Sequence, residues 1–252
     1  MNPVNFHNQS DITDTGERIL PAQQGEISIV FSRHRFAYEY VQPFVQDKTV
    51  IDVGCGTGYG CKTLAEKAKL VCGIDYDEEA VSYCNKNYAA PNIKYIEMDA
   101  NSLELDTQFD IAVTFQVIEH MQNLDKFVEQ LKQVVKPDGL IFISTPNVKQ
   151  PQKENEANPF HFNEMNYTQF QELISEKFSS FEILGVAYAS RNRMRSFVGK
   201  LPFYKWGKKL KRKSGLKKIA VRALDLTSFK IIKSNIEDES ADFLAVCHNS
   251  RM

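Results

Sequence analysis

From Val50 to Gly60 the chain reads Val-Ile-Asp-Val-Gly-Cys-Gly-Thr-Gly-Tyr-Gly, an apolar run that passes straight into a loop with glycine at every second position. With no side chains at Gly54, Gly56 and Gly58, the backbone can turn sharply, and its N–H groups can approach an anionic or polar ligand closely. Asp75 follows Gly54 by 21 positions. That is the spacing at which a carboxylate closes the next strand and offers two acceptor oxygens to the hydroxyls of a ribose. Loop and acid together predict a nucleoside-binding half-site, with Asp52 placed to accept from loop amides or from a ligand's ammonium group. A dinucleotide fingerprint would carry glycine at position 59, where this chain has Tyr59, so hydride transfer loses its best signature. Further on, Asp99-Ala100 follows an apolar run, and Gln116-Val117-Ile118-Glu119-His120 follows another. A neutral imidazole can take a hydroxyl proton near pH 7, which makes His120 the first candidate base and Glu119 its orienting partner. His161, inside Asn158-Pro159-Phe160-His161-Phe162-Asn163-Glu164, is the second candidate.

The elements that must hold these groups can be read from periodicity. Helical spacing predicts helices over 34–45, 59–68, 78–88, 124–135 and 167–178, and short apolar runs predict strands over 49–53, 70–74, 93–97, 111–115, 140–144, 181–187 and 243–247. Strands alternating with helices imply crossover connections and a parallel sheet covered on both faces. Residues 1–32, broken by Gly16, Pro21 and Gly25, read as an arm that reaches toward the site. At 252 residues the default is a single domain, with 33–190 and 234–252 as its core.

No apolar run approaches the roughly 18 residues of a membrane span, and the first ten residues lack the basic and apolar regions of a secretory signal. The cysteines Cys55, Cys61, Cys72, Cys84 and Cys247 are odd in number and show no Cys-x-x-Cys pair, which argues against a disulfide framework or a zinc site and for a reducing cytoplasm. The net charge of −1 hides an asymmetry, because 191–233 holds 15 Lys and Arg against the single acid Asp225. Within it Leu216, Ile219, Ala220, Ala223 and Leu224 recur at helical spacing, and 201–206 interleaves aromatics with lysine. This basic amphipathic insertion is suited to a polyanion, whether a phosphorylated substrate, the anionic inner face of a membrane or nucleic acid; a lysine-rich helix docked on its own protein has the same composition.

The run from Val50 to Gly60 resembles motif I of the class I S-adenosylmethionine-dependent methyltransferases, and its companions follow in order: Gly73-Ile74-Asp75-Tyr76-Asp77, Glu97-Met98-Asp99-Ala100, Phe109-Asp110 and Lys136-Pro137-Asp138-Gly139. The resemblance implies a Rossmann-like α/β fold, a seven-stranded, mostly parallel sheet with an antiparallel last strand and helices on both faces. It implies S-adenosylmethionine as cofactor and S-adenosylhomocysteine as product. Asp52, Gly54, Cys55, Gly56 and Gly58 would meet the methionine end, and Asp75 the ribose. Asp99 with Ala100 would meet the adenine, sandwiched between Tyr76 and Ile118, and Gln116 would also contact the cofactor. Glu119-His120 is similar to the Glu-His pair of small-molecule O-methyltransferases, including those of quinone biosynthesis; some relatives use the glutamate to help bind a divalent ion, but no ligand set for a metal is read from this sequence. Thr145-Pro146-Asn147, the later Asn-Pro-Phe-His, Thr15-Gly16-Glu17-Arg18 and Arg33-His34-Arg35-Phe36-Ala37 resemble bacterial methyltransferases of sugars or glycan intermediates.

The expected activity is therefore methylation of a hydroxyl on a small or glycan-type acceptor, phosphorylated or lipid-linked where the basic segment takes part. Thr114-Phe115-Gln116-Val117 lacks the Asn/Asp-Pro-Pro-aromatic signature of base and glutamine N-methylation, and neither Cys55 nor Cys61 has the Pro-Cys context of cytosine C5 methylation. Two competing readings are a nucleic-acid-binding or RNA-modifying protein on this fold that uses 191–233, and a silent binding module.

Overall fold

A computed structural model describes residues 12–13, 29–149, 160–189 and 228–250. Most of the expected arm, the motif at 15–18, Asn158-Pro159 and the stretch 191–227, where the amphipathic helix and the aromatic run are expected, lie outside the described residues. The described strands form one sheet in the order β3-β2-β1-β4-β5-β8-β6-β7. These are β1 (Thr49–Val53), β2 (Leu70–Asp75), β3 (Ile93–Glu97), β4 (Phe109–Phe115), β5 (Val135–Pro146), β6 (Phe181–Tyr188), β7 (Phe229–Ile232) and β8 (Ser240–His248). The pairs from β3 to β5 are parallel, while β8 runs antiparallel between β5 and β6.

The sheet has eight strands, not seven. The additional strand β7 pairs antiparallel with β6 at the edge, and it falls inside the stretch assigned to the basic insertion. Four residues that include Lys230 carry too short an alternation to be seen; only Phe229 of β7 is buried. Two boundaries also differ. Helix α1 (Ile29–Val41) starts earlier than 34 and passes at Pro43, which lacks a backbone donor, into a 3-10 turn over Gln42–Val45. Strand β5 begins at Val135 and takes in the Lys136-Pro137-Asp138-Gly139 turn, where Asp138 adopts φ +62° and its N–H donates to the Asn249 carbonyl.

Alternating strand residues divide the core in two. Val50, Val71, Ile111, Val113 and Phe142 face α1, α2 (Tyr59–Ala65) and α3 (Glu78–Tyr88). Ile51, Ile74, Ala112, Ile141, Ile143 and Phe243 face α4 (Leu124–Val134) and α5 (Tyr167–Lys177). Caps fix where the helices begin: Asp77 accepts from the N–H groups of Glu79 and Ala80, Asn123 from Lys126, and Asn166 with Gln169 closes a capping box. At the edge of the sheet remote from the glycine loop, Asp110 accepts from Thr49 and pairs with Lys136 at 2.8 Å, which joins β1, β4 and β5. The Phe109-Asp110 motif is thus a strand staple. These contacts hold the Asp110 carboxyl at about 2, below its usual value, although burial acts in the opposite sense.

Phe243 is fully buried in β8, stacked on Phe170 at 5.7 Å and edge-on to Tyr167. Phe243→Ala should lower stability by about 3–5 kcal/mol through lost transfer energy and an unfilled cavity. Urea unfolding followed by far-UV circular dichroism would show the midpoint fall with the slope unchanged.

Candidate functional site

The glycine loop leaves β1 by turning into left-handed backbone at Gly54 (φ +76°), Gly56 (φ +53°) and Gly58 (φ +78°). A Cβ on Gly54 would lie 2.4 Å from Val117 Cγ2 and one on Gly58 2.7 Å from Cys84 Sγ, whereas Gly56 faces open space. Close packing thus requires glycine at 54 and 58, while at Gly56 the left-handed backbone alone does. Asp75, at the end of β2, accepts the Gly56 N–H at 2.8 Å and the Asp77 N–H at 3.1 Å, so one carboxylate shapes the loop and starts α3. It remains half-buried on the wall of a cavity of about 590 Å³.

Of the residues expected from sequence, Gly54, Cys55, Gly56, Asp75, Tyr76, Asp99, Ala100, Gln116 and His120 line this cavity. Tyr76 is 75 % exposed at its rim. Asp99 accepts from the backbone N–H and side-chain amide of Asn101 at 2.8 and 2.9 Å, which orders its turn and leaves carboxylate lone pairs for a ligand. Gln116 sits at φ +56°, held by its N–H on the Ser144 carbonyl and by its side chain on Ser144 Oγ. A non-glycine residue in that conformation is strained, and its place here, where β4 enters the site, is where such strain collects.

Asp52, Gly58, Glu119 and His161 are not on the lining. Asp52 is fully buried behind the loop, on the α1 side of β1, where it accepts from Tyr38 Oη at 3.1 and 3.2 Å and from Cys61 Sγ at 3.2 Å. Burial pushes its carboxyl up to about 8, against the pull of those two donors. Its bonds are to the scaffold, and it is not on the cavity lining where a ligand ammonium was expected to meet it. Ile118 was expected to sandwich a base; the 3-10 turn over Ile118–His120 instead sends it into the core, and Val117 and Met98 line the cavity.

Glu119 is buried and accepts from Thr145 Oγ1 at 3.3 Å, while its carbonyl receives the N–H groups of Phe162 and Asn163. The Asn163 side-chain amide donates to the Met121 carbonyl. These bonds clip the segment after Phe160 onto the turn that carries His120. The Phe160 carbonyl lies 3.2 Å from His120 Nδ1, and since a carbonyl only accepts, Nδ1 carries the hydrogen of the neutral ring and Nε2 the lone pair. His161 packs edge-on against His120 at 4.7 Å, and its own Nδ1 is 3.0 Å from Glu164 Oε1. The ligand atoms of Glu119, His120 and His161 lie within 4.8 Å of one another, a carboxylate-and-imidazole set that could hold a divalent ion or pass a proton. In Thr145-Pro146-Asn147 the threonine orients Glu119 and the buried asparagine donates to the Glu237 and Ser240 carbonyls, which ties β5 to β8.

Sequence reasoning assigned no site role to His34, Tyr38, Thr57, Tyr59, Phe160 and Phe162, all on the lining. The available signal was the i, i+4 spacing of His34 and Tyr38 on one helix face. Phe160 and Phe162 are more than half exposed and form an aromatic rim beside His120.

A family model described as a methyltransferase domain matches residues 51–143. The chain is 34 % identical over 184 residues to a probable S-adenosylmethionine-dependent methyltransferase of Mycolicibacterium smegmatis, covering 70 % of this chain and 69 % of that one. It is 31 % identical over 136 residues to the ubiquinone biosynthesis O-methyltransferase of Rickettsia typhi, covering 50 % and 54 %. Among solved structures, a possible histamine N-methyltransferase of Thermotoga maritima superposes with a TM-score of 0.59 at 15 % identity, over 87 % of this chain and 92 % of that one.

The Asp52 carboxyl sets a test of the geometry. A carboxyl raised in the fold from about 4 to about 8 contributes stability that is complete below pH 4 and is lost as pH rises toward 8. Asp52→Asn, which still accepts from Tyr38, should flatten that decline, so that urea midpoints of the two proteins converge at low pH and separate in favour of the variant near pH 8. Parallel profiles would refute the assignment.

Proposed function

The chain belongs to the S-adenosylmethionine-dependent methyltransferases, and on that premise we propose that it methylates a hydroxyl of a sugar, a glycan intermediate or another small molecule. The observation that carries the reading is the presentation of His120, whose Nε2 lone pair is fixed by the Phe160 carbonyl in the cavity that also holds Asp75, Asp99 and the glycine loop. In this reading the ribose hydroxyls donate to Asp75, the adenine amino group to Asp99, and the base packs between Tyr76 and Val117. The acceptor enters past Phe160 and Phe162, whose exposed rings suit the C–H face of a sugar or a flat ring. Its oxygen attacks the methyl carbon in line with the sulfur. The new C–O bond forms as the C–S bond breaks, sulfur takes the electron pair, and His120 Nε2 takes the hydroxyl proton. Glu119 and His161, behind His120, fix the ring.

An O-methyltransferase of ubiquinone biosynthesis among the relatives supports oxygen as the acceptor atom. The 15 basic residues of 191–233 support a substrate with phosphate groups, nucleotide-linked or lipid-diphosphate-linked, approached where needed from an anionic membrane surface. Among the described residues no helix is long and apolar enough to cross a membrane.

Methyl-labelled cofactor incubated with nucleotide sugars, lipid-linked sugars, quinol precursors and RNA, followed by mass spectrometry, tests the acceptor class: label on a saccharide or phenol oxygen supports it, and label confined to RNA overturns it. His120→Ala should slow turnover by about 10²–10⁴-fold with unchanged affinity for S-adenosylhomocysteine. Asp75→Asn should instead weaken that affinity by about tenfold, the size of a lost hydrogen bond to a charged group. Normal turnover in the His120 variant would sink its role as base.

A further inference from the structure

His34 lies one turn before Tyr38 on the same face of α1. Tyr38 reaches down to Asp52 at the end of β1, and a turn of helix advances about 5.4 Å, so His34 stands beyond it along the wall that covers the glycine loop. The residue is 7 % exposed and lines the cavity. A polar side chain on this wall is placed to meet whatever fills the ligand cavity. Burial, reinforced by Arg33, holds the imidazole well below its usual range, so the free site contains it neutral.

The described lining includes Asp75, Asp77 and Asp99 and no lysine or arginine. S-adenosylmethionine brings a carboxylate at its amino-acid end. With the ribose at Asp75 and the adenine at Asp99, that end points away from Tyr76 and toward Gly54, Gln116 and α1. This step rests on the placement of the cofactor given above. We propose that His34 receives the cofactor's carboxylate and takes up a proton as the cofactor binds. A carboxylate brought against a buried ring favours the imidazolium and forms a charged hydrogen bond with it.

The other charged and titratable groups around the ring are accounted for. Arg33, on its own helix, is turned to Asp242 of β8 at 2.6 Å. From the loop and α2 come Cys55 and Tyr59, from β1 Asp52, and across the cavity Asp75 and His120. Tyr38 and Tyr59 are held above their usual range and stay neutral between pH 6 and 8, but Asp52, at about 8, titrates within that window. The test must therefore compare variants at His34 itself.

Calorimetry in buffers of different ionisation enthalpy would measure binding of S-adenosylhomocysteine and of 5′-methylthioadenosine, which lacks the amino-acid end. Wild-type protein is expected to take up a substantial fraction of a proton with the first ligand and much less with the second. His34→Ala should weaken S-adenosylhomocysteine by about tenfold or more while leaving 5′-methylthioadenosine within about twofold, which also certifies the fold. His34→Gln, which keeps a neutral donor, should recover part of the affinity and none of the additional proton uptake. Equal weakening of both ligands, or unchanged affinity and proton uptake with slowed turnover, overturns the proposal. Failure of both ligands to bind the wild-type protein overturns the cofactor placement first and this inference with it.

Discussion

The site depends on a carboxyl group that no solvent reaches. Asp52 points from β1 to the α1 face, and a fully buried carboxyl must be met by donors or lose its charge. Tyr38 from α1 and Cys61 from α2 supply them, so the demand of one side chain draws two helices over the end of the first strand. Gly60 allows this closure, because a Cβ there would fall 2.1 Å from the Tyr38 ring. Tyr38 in turn packs edge-on against Phe115 and Tyr59, which ties the loop side of the cavity to the β4 side. Every wall of the cavity is thus fixed by something behind it: Asp75 by two backbone amides, Gln116 by Ser144, Glu119 by Thr145.

This rigidity matters because electrostatics cannot supply much of the rate. The described lining is acidic and has no fixed cation, which favours a sulfonium ligand in its ground state. The positive charge leaves the sulfur as the methyl moves, so that attraction fades toward the transition state and works against acceleration. What the protein can add is alignment of three atoms and a base at the right distance, and alignment is worth most when the groups behind it cannot move. The segment 160–164, clipped to the turn that carries His120 by bonds to the Glu119 and Met121 carbonyls, serves that need.

The parallel half of the fold was legible because its signals are local. Gly54 to Gly58, Asp75 and Asp99 each follow an apolar strand, and their order alone fixes a crevice at the carboxyl ends of β1, β2 and β3. Less visible was whatever depends on side-chain direction or on distant pairing. Asp52 and Asp75 look alike in sequence, yet one faces a helix and the other the cavity, and only the alternation of β1 against α1 decides this. Ile118 and Val117 exchange roles because a 3-10 turn follows the strand. Strand β7 exists through its register with Gly185 to Tyr188, which four residues with a lysine among them do not announce. His34 and Tyr38 joined the site because α1 folds over it, a long-range contact without a local motif.

The two candidate histidines are also separated by what stands behind them. His120 lines the cavity; His161 does not, and with only 8 % of its side chain exposed it is engaged at Nδ1 by Glu164. A base must reach the proton it removes, so direct transfer falls to His120 and His161 is left to act through it. Their edge-on contact at 4.7 Å, with Glu119 buried beside them, places the second ring where it limits rotation of the first and where its carboxylate partner can favour the cation formed on His120. The pair then divides the work as an acceptor and its support, and the identity of the substrate is left to the aromatic rim of Phe160 and Phe162, the part of the wall that faces outward.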